Sequence, residues 1–105
     1  MQVYTNVEVE KFIQSLQMEA RTKTVRTIGL LETFGYTLTL PHSKKVAKNL
    51  FELRAKGQQE IRIFYTFYDN AAHLLHGYVK KQQKIPKKEL EQALRKLGFL
   101  TQYHI

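Results

Sequence analysis

Five basic residues stand among apolar strand residues or directly after them: Arg54, Arg62, Lys80, Lys81 and Lys84. A guanidinium group binds a phosphate through two parallel hydrogen bonds, and a lysine adds a compact positive charge. Neighbouring cations disfavour the charged form of a crowded lysine, which can then approach the role of a general base. These residue types predict phosphate chemistry. The alternative is a solvated basic face without chemistry.

The net charge supports a polyanionic partner. The formal charge of the 105-residue chain is +8, and all of this excess lies in residues 37–105. Residues 1–36 carry four basic and four acidic residues, whereas residues 37–105 carry thirteen basic and five acidic ones. An excess confined to one part of a chain favours nucleic acid over a membrane surface as the partner. A basic protein without such a partner is the alternative.

Aromatic residues accompany the basic ones, and exposed rings beside cations can stack single-stranded bases. Strand alternation turns about half of such rings inward, so we expect most of them to belong to the core. Tyr103 is the exception, because it lies in a polar tail. The set is Phe64, Tyr65, Phe67, Tyr68, Tyr78 and Tyr103.

The four histidines are His42, His73, His76 and His104. An imidazole titrates near neutral pH and can act as acid or base in phosphodiester cleavage. No pair has metal-ligand spacing on a predicted helix, and strand alternation predicts opposite faces for His73 and His76. The scarcity of acidic residues in the basic part also argues against a two-metal nuclease. The sequence therefore predicts no metal and no cofactor.

The strands that position these residues follow from period-two alternation. We predict an antiparallel meander over residues 50–55, 60–68 and 73–80, with Asp69 to Ala72 in the second turn. Gly77 marks a bulge or a close backbone approach. Residues 1–4 could add an edge strand, whereas residues 43–48 are polar and basic and receive no element.

Helical periodicity predicts the remaining elements. Thr5 and Glu8 match a capping box before a first helix, and a second pattern runs over residues 20–34. That pattern predicts that four residues face the core: Val25, Ile28, Leu31 and Phe34. The two segments form a helical hairpin or one broken helix. A third helix over residues 87–97, ended by Gly98, packs on the sheet, and the tail after it stays unassigned.

Length and composition favour a single α+β domain over residues 1–105. The chain has no cysteine, which excludes disulfides and cysteine-based zinc sites and fits a reducing compartment. No apolar run reaches the length of a membrane span, and the N-terminus lacks the pattern of a secretory signal. We therefore predict a cytoplasmic protein.

The segment LFELRAKGQQEIRIFYTFYDNAAHLLHGYVKKQQKIPKKELEQALRK resembles the RelE/HigB superfamily of toxins, in particular its phage-derived HigB-like branch. The N-terminal VEVEKFIQSL and the segment PHSKKV are also similar to that branch, so nearly the whole chain takes part. The matching pieces are Leu53 and Arg54, Gly57, Arg62 to Tyr65, Leu75 to Tyr78, Lys80 and Lys81, Lys84 to Pro86, and Glu89 to Ala93.

The resemblance implies a RelE-like fold, in which an N-terminal helical hairpin packs on a three- to four-stranded antiparallel sheet with a C-terminal helix. It implies a type II toxin that cuts mRNA in the A site of the 70S ribosome, without a metal, and is neutralised by an antitoxin, commonly a helix-turn-helix protein. In such toxins the 2′-OH of the mRNA attacks the adjacent phosphate.

Carried over by residue, the resemblance gives Arg62 the role of stabilising the transition-state phosphate. Lys80 and Lys81 hold or activate the substrate, and Tyr103 takes a catalytic place near the C-terminus. The expected RNA-binding residues are Arg54, Lys84, Lys44, Lys45, His76 and His104. Two alternatives remain: a non-catalytic RNA- or ribosome-binding protein of the same fold, and a basic protein–protein adaptor.

Overall fold

A five-stranded sheet forms the centre of the molecule. The computed structural model describes the backbone of residues 1–104 and the side chains of residues 1–102. The strand order is β1-β5-β4-β3-β2, with β1 parallel to β5 and the other neighbours antiparallel. The strands are β1 Val3–Tyr4, β2 Ser43–Ala47, β3 Leu50–Ala55, β4 Glu60–Tyr68 and β5 Ala71–Lys80. The predicted α+β class and meander are confirmed, but the sheet has five strands rather than three or four, and one pair is parallel.

The strand β2 was not predicted from its polar sequence. It pairs with β3, and Lys44 lies opposite Glu52 while Lys45 lies opposite Phe51. Ser43 is buried at its start and hydrogen bonds to the hydroxyl of Tyr65. Pairing with β3 and burial of Ser43 therefore make this segment a strand despite its two lysines.

The turn between β4 and β5 is as short as a hairpin allows. Asp69 and Asn70 have φ angles of 53° and 60°, the left-handed values that a two-residue turn of type I′ requires. β5 consequently begins at Ala71, two residues earlier than predicted.

Helices cover both faces of the sheet. α1 (Val7–Ser15) and α2 (Met18–Phe34) pack on the face that carries Ile61, Ile63 and Tyr65, and a short 3-10 turn, Gly35–Thr37, follows α2. α3 (Lys87–His104) covers Phe64 and Tyr78 on the other face. None of the helices, over the residues that the structure describes, is long and apolar enough to cross a membrane.

The termini of α1 and α3 differ from the prediction. Asn6, rather than Thr5, caps α1, because its side chain accepts a hydrogen bond from the backbone N–H of Val9. α3 continues past Gly98 to His104. Leu100 packs in the core beneath α3, and the Thr101 hydroxyl bonds to the Leu97 carbonyl. These interactions offset the roughly 1 kcal/mol that glycine costs inside a helix.

The inward face of α2 was also predicted incorrectly. Leu31 is buried as expected, but Val25 and Phe34 are 55% and 52% exposed. Thr24 and Thr27 are buried instead, and their hydroxyls donate to the carbonyls of Ala20 and Lys23 one turn earlier. A threonine whose hydroxyl is bonded within its own helix can be buried without an unsatisfied polar group.

A β-bulge in β5 changes which way its histidines face. Phe64 pairs with His76 and Tyr65 with Leu74, so Leu75 is the extra residue. An extra residue inverts the alternation, and His73 and His76 therefore share the α3 side. The prediction that they face opposite sides is wrong for this reason.

Gly77 lies against Phe12 of α1, so of the two predicted alternatives, a bulge or a close approach, the close approach is the one found. A Cβ atom at this position would lie 2.4 Å from the Phe12 ring. We expect Gly77→Ala to lower the free energy of unfolding by about 1–3 kcal/mol, because the ring and α1 must shift. Urea denaturation measures this change.

Gly29→Ala is the matched control, since a Cβ at this α2 position meets nothing within 4 Å. It should stabilise the protein by about 0.5–1 kcal/mol through helix propensity. Equal effects of the two substitutions would contradict the close approach of Phe12.

Candidate active site

Arg62 lies near the start of the central strand β4. In the register of the sheet it stands between Arg54 of β3 and Tyr78 of β5. The three residues form a row across the α3 side, at the end of the sheet where β3 and β5 finish and β4 begins. The predicted strand order, which brings Arg54 next to Arg62, is confirmed.

A fully buried carboxylate holds this row together. Glu52 of β3 is 0% exposed and accepts hydrogen bonds from the Tyr78 hydroxyl at 3.0 Å and from Arg54 Nε at 3.2 Å. Arg62 Nε lies 3.5 Å from the same Oε1 atom that binds Arg54. Two guanidinium groups and a phenol therefore surround one negative charge, as a buried carboxylate requires.

Tyr78 is held in its neutral form by this environment. Burial, together with the nearby negative charge of Glu52 and the hydrogen bond to it, raises the pKa of Tyr78 far above its usual value. The hydroxyl is consequently a donor to Glu52 at neutral pH, and it cannot act as a base.

Arg62 is itself only 5% exposed, and a second carboxylate approaches it from the open side. Its Nη1 lies 3.1 Å from Glu60 Oε2, close enough for an ion pair. Neither this contact nor the one with Glu52 has hydrogen-bond alignment: within the described chain, Arg62 Nε and Nη1 have no hydrogen-bond partner. The guanidinium is thus held by charge, and two of its buried nitrogens have hydrogen-bonding capacity that no described residue uses.

A shallow cleft of about 460 Å³ opens beside Arg62. Four cationic side chains line it, and Glu60 is the one carboxylate among the described residues that do so. Lys80 stands directly opposite Glu60 in the sheet, and Lys81 follows it. The complete lining is Lys56, Glu60, Arg62, Lys80, Lys81, Gln82 and Gln83. Such a cleft is suited to a phosphate group with a proton acceptor at its side.

A family model described as phage-derived protein Gp49-like (DUF891) matches residues 11–98 of this chain. The chain belongs to the Gp49-like family. Members of this phage-derived family are often toxin-like, which places the chain in the context of toxin–antitoxin systems. Comparison with curated proteins gives no significant match.

Three of the four residues predicted to be catalytic line the cleft of this Gp49-like protein. Arg62, Lys80 and Lys81 line it, and Arg54 adjoins Arg62 on the neighbouring strand. The side chain of Tyr103, the fourth, and that of His104 lie outside the described residues.

The other predicted RNA-binding residues lie away from the cleft. Lys84 is exposed in the segment between β5 and α3. Lys44 and Lys45 are exposed on the edge strand β2 and, by their register, only Lys44 shares the side of Glu52. His76 Nε2 lies 2.7 Å from Glu89 Oε1 of α3, so this histidine ties α3 to the sheet. Phe64, Tyr65 and Tyr78 are buried, which confirms the prediction that most strand aromatics belong to the core.

Sequence reasoning missed Glu52, Glu60 and Lys56. Glu52 carried a signal, because a charged residue in an apolar strand, two positions from Arg54 and on its face, needs a buried partner. Glu60 and Lys56 reach the cleft only because β3 and β4 pair with each other, and β4 with β5. Their spacing along the chain carried no comparable signal.

Proposed function

We propose that this protein is a RelE/HigB-type toxin of a type II toxin–antitoxin system that cuts mRNA on the ribosome and so inhibits translation. The observation that carries the proposal is the cleft, where Arg62, Lys80, Lys81 and Lys56 surround Glu60. Membership of the Gp49-like family supports the toxin context. The resemblance to RelE/HigB toxins supports the choice of mRNA in the 70S A site and of a metal-independent reaction.

The proposed reaction is a transesterification within the RNA. The 2′ oxygen attacks the adjacent phosphorus, so an O2′–P bond forms as the P–O5′ bond breaks. The 2′-OH proton passes to a base, and the departing O5′ receives a proton. The products are a 2′,3′-cyclic phosphate and a 5′-OH end, and negative charge on the phosphate oxygens grows in the transition state.

Arg62 is the donor to those phosphate oxygens. Its N–H groups are aligned with no described acceptor, and its position between two carboxylates fixes its orientation before substrate binds. Preorganised donors of this kind lower a barrier because no reorganisation is needed as charge develops. Lys80 and Lys81 bind the phosphate, and an ammonium of this pair supplies the proton for O5′.

Glu60 is the proton acceptor in this proposal. It lines the cleft and its side chain is 39% exposed. Its Oε2 is buried against Arg62 Nη1, so the proposal assigns the 2′-OH proton to the other carboxylate oxygen. Glu52 cannot take this role, because it is fully buried and its oxygens already bind Tyr78 and Arg54.

Replacing Glu60 with glutamine should separate cleavage from binding. We expect cleavage to fall about 10²-fold, the lower end for loss of a general base at a site that water can enter. RNA binding should tighten, because the substitution removes a negative charge from the cleft. Single-turnover cleavage and fluorescence anisotropy with uncleavable RNA measure the two effects.

Glu91→Gln is the control for this prediction, since Glu91 is an exposed residue of α3 that pairs with Lys87 at the surface. It should alter neither rate nor affinity by more than about twofold. Full cleavage by Glu60→Gln would remove Glu60 from the mechanism.

The proposed partners follow from the same role. The substrate is mRNA on the 70S ribosome in the cytoplasm, and a cognate antitoxin, proposed to be a helix-turn-helix protein, neutralises the toxin. No cofactor is assigned a part in the reaction.

A non-catalytic RNA- or ribosome-binding protein is the second candidate function. The deep burial of Arg62 between two carboxylates favours it, because a guanidinium so engaged reaches an external phosphate less readily. In this case the half-buried Lys80 and the exposed Lys81 would supply affinity without cleavage.

Induced expression, with mapping of mRNA 5′ ends, tests these functions together. Growth arrest with new in-frame cuts supports the nuclease. Arrest without cuts supports the RNA- or ribosome-binding protein, and normal growth with soluble protein contradicts both and leaves a basic adaptor.

A further inference from the structure

A second basic groove lies between α2 and the end of β3. It has a volume of about 310 Å³, and no acidic residue is among the described residues that line it. Its rim carries Lys23 and Arg26 of α2, Arg54 of β3 and Lys56 after β3. Leu30 and Pro41 contribute apolar surface to the lining, with His42 beside them.

The groove and the cleft share a boundary. Lys56 lines both, and Arg54 of the groove is the cross-strand neighbour of Arg62 of the cleft. The Lys23 side chain bridges from α2 towards the turn after β3, because a Cβ atom at Gly57 would lie 2.9 Å from Lys23 Nζ. Lys56 therefore connects the cations of the cleft with Lys23 and Arg26 of α2.

Arg54 lies at the boundary between the cleft and the groove. Its side chain is on the α3 side, where its Nε donates to Glu52, and it keeps 17% exposure. Its backbone N–H donates to the carbonyl of His42, which lines the groove.

We propose that the groove binds single-stranded RNA that continues out of the cleft, with phosphates at the cations and a base against the apolar surface of Leu30 and Pro41. Cations beside apolar surface are an arrangement that holds a single strand without reading its sequence. RNA is favoured over an acidic peptide because the groove is continuous with the cleft through Lys56. This inference rests on the proposed function only in taking RNA as the ligand of the cleft.

The test compares two RNA lengths with the intact protein. One oligonucleotide has about three nucleotides and fits the cleft alone, and the other has about twelve and can reach the groove. Both are 2′-O-methylated throughout, so that no 2′-OH can attack and binding is measured without cleavage. Affinity is measured by fluorescence anisotropy over a range of salt concentrations.

The variant is the double substitution Lys23→Gln and Arg26→Gln, at two α2 side chains that line the groove, of which Lys23 also pairs with Glu19 at 3.3 Å. We expect at least a tenfold loss of affinity for the longer RNA and no change for the shorter one. The salt dependence for the longer RNA should fall in slope by about 0.7 for each phosphate contact removed. Lys11→Gln with Arg95→Gln removes the same charge at exposed positions outside the groove and should change neither affinity.

Several results would overturn the inference. The first is that the wild-type protein binds both RNA lengths with equal affinity. The second is that the double variant loses the same affinity for both lengths. The third is that the control variant loses as much affinity for the longer RNA as the double variant does. Tight binding of polyglutamate that depends on Lys23 and Arg26, without preference for the longer RNA, would assign the groove to an acidic protein segment instead. Failure of the nuclease proposal is detected separately, by absence of cleavage of unmodified RNA.

Discussion

Replacing Arg62 with lysine is expected to slow RNA cleavage about 10³-fold and to leave the protein folded. Lysine keeps a positive charge between Glu52 and Glu60, which stabilises the buried cluster. It loses the planar fork that can donate two parallel hydrogen bonds to a phosphate. Loss of one preorganised donor to transition-state oxygens costs about 10²–10³ in rate. Single-turnover cleavage on programmed ribosomes measures the effect.

Lysine at position 62 tests the role in catalysis more clearly than alanine does, because it keeps the charge that the fold requires. Arg62→Ala would leave the negative charge of Glu52 with fewer partners in the interior, so that inactivity could result from unfolding. The control is Arg95→Lys, because Arg95 is an exposed residue of α3 that bonds to Gln92. Unchanged cleavage by folded Arg62→Lys protein would exclude Arg62 from transition-state stabilisation.

The strands that carry the candidate site were predictable from sequence. Successive residues of β3 and β4 belong to opposite faces of the sheet, and each face has its own core, so a one-residue slip in register would exchange the side chains of the two cores. That constraint fixed Arg54 and Arg62 as cross-strand neighbours, and the antiparallel order placed Lys80 at the same end of the sheet.

Elements whose stability comes from distant partners were not predictable in this way. β2 has a polar sequence and exists because β3 offers it an edge to pair with. The bulge at Leu75 depends on the register of β4 against β5 and reverses the side of His73 relative to simple alternation. The buried threonines of α2 form hydrogen bonds through their hydroxyls to carbonyls of the same helix. A prediction based on the spacing of hydrophobic residues does not detect such burial.

The roles of the carboxylates in the candidate site were also not predictable, because they depend on partners that are distant in the sequence. Net charge and the positions of cations pointed to phosphate, and both are properties of the sequence alone. The roles of Glu52 and Glu60 depend on pairing: one is enclosed by three side chains from three strands, and the other meets Arg62 at the open end. Because acidic residues are few in this part of the chain, the sequence did not draw attention to Glu52 and Glu60, the two that organise the cations.

Removing the Glu52 carboxylate should destabilise the protein more than any surface substitution. In Glu52→Ala, Arg54 and Arg62 lose the charge between them, and the Tyr78 hydroxyl loses its acceptor. Breaking a buried ion pair by deleting one partner costs about 3–5 kcal/mol, since uncompensated charge stays in the interior. Urea denaturation should report a loss of this size in the free energy of unfolding.

Glu91→Ala is the control for Glu52→Ala, and its exposed pair with Lys87 should contribute less than about 0.5 kcal/mol. A double variant, Glu52→Leu with Arg62→Met, separates the charge from the packing, because it removes both members of the pair and should recover most of the loss. That variant should nevertheless cleave no RNA, since the donor at position 62 is absent. A loss below about 1 kcal/mol in Glu52→Ala would mean that water already solvates this cluster in solution. Arg62 would then owe its orientation to Glu60 alone, and the cleft would be assembled by substrate rather than before it binds.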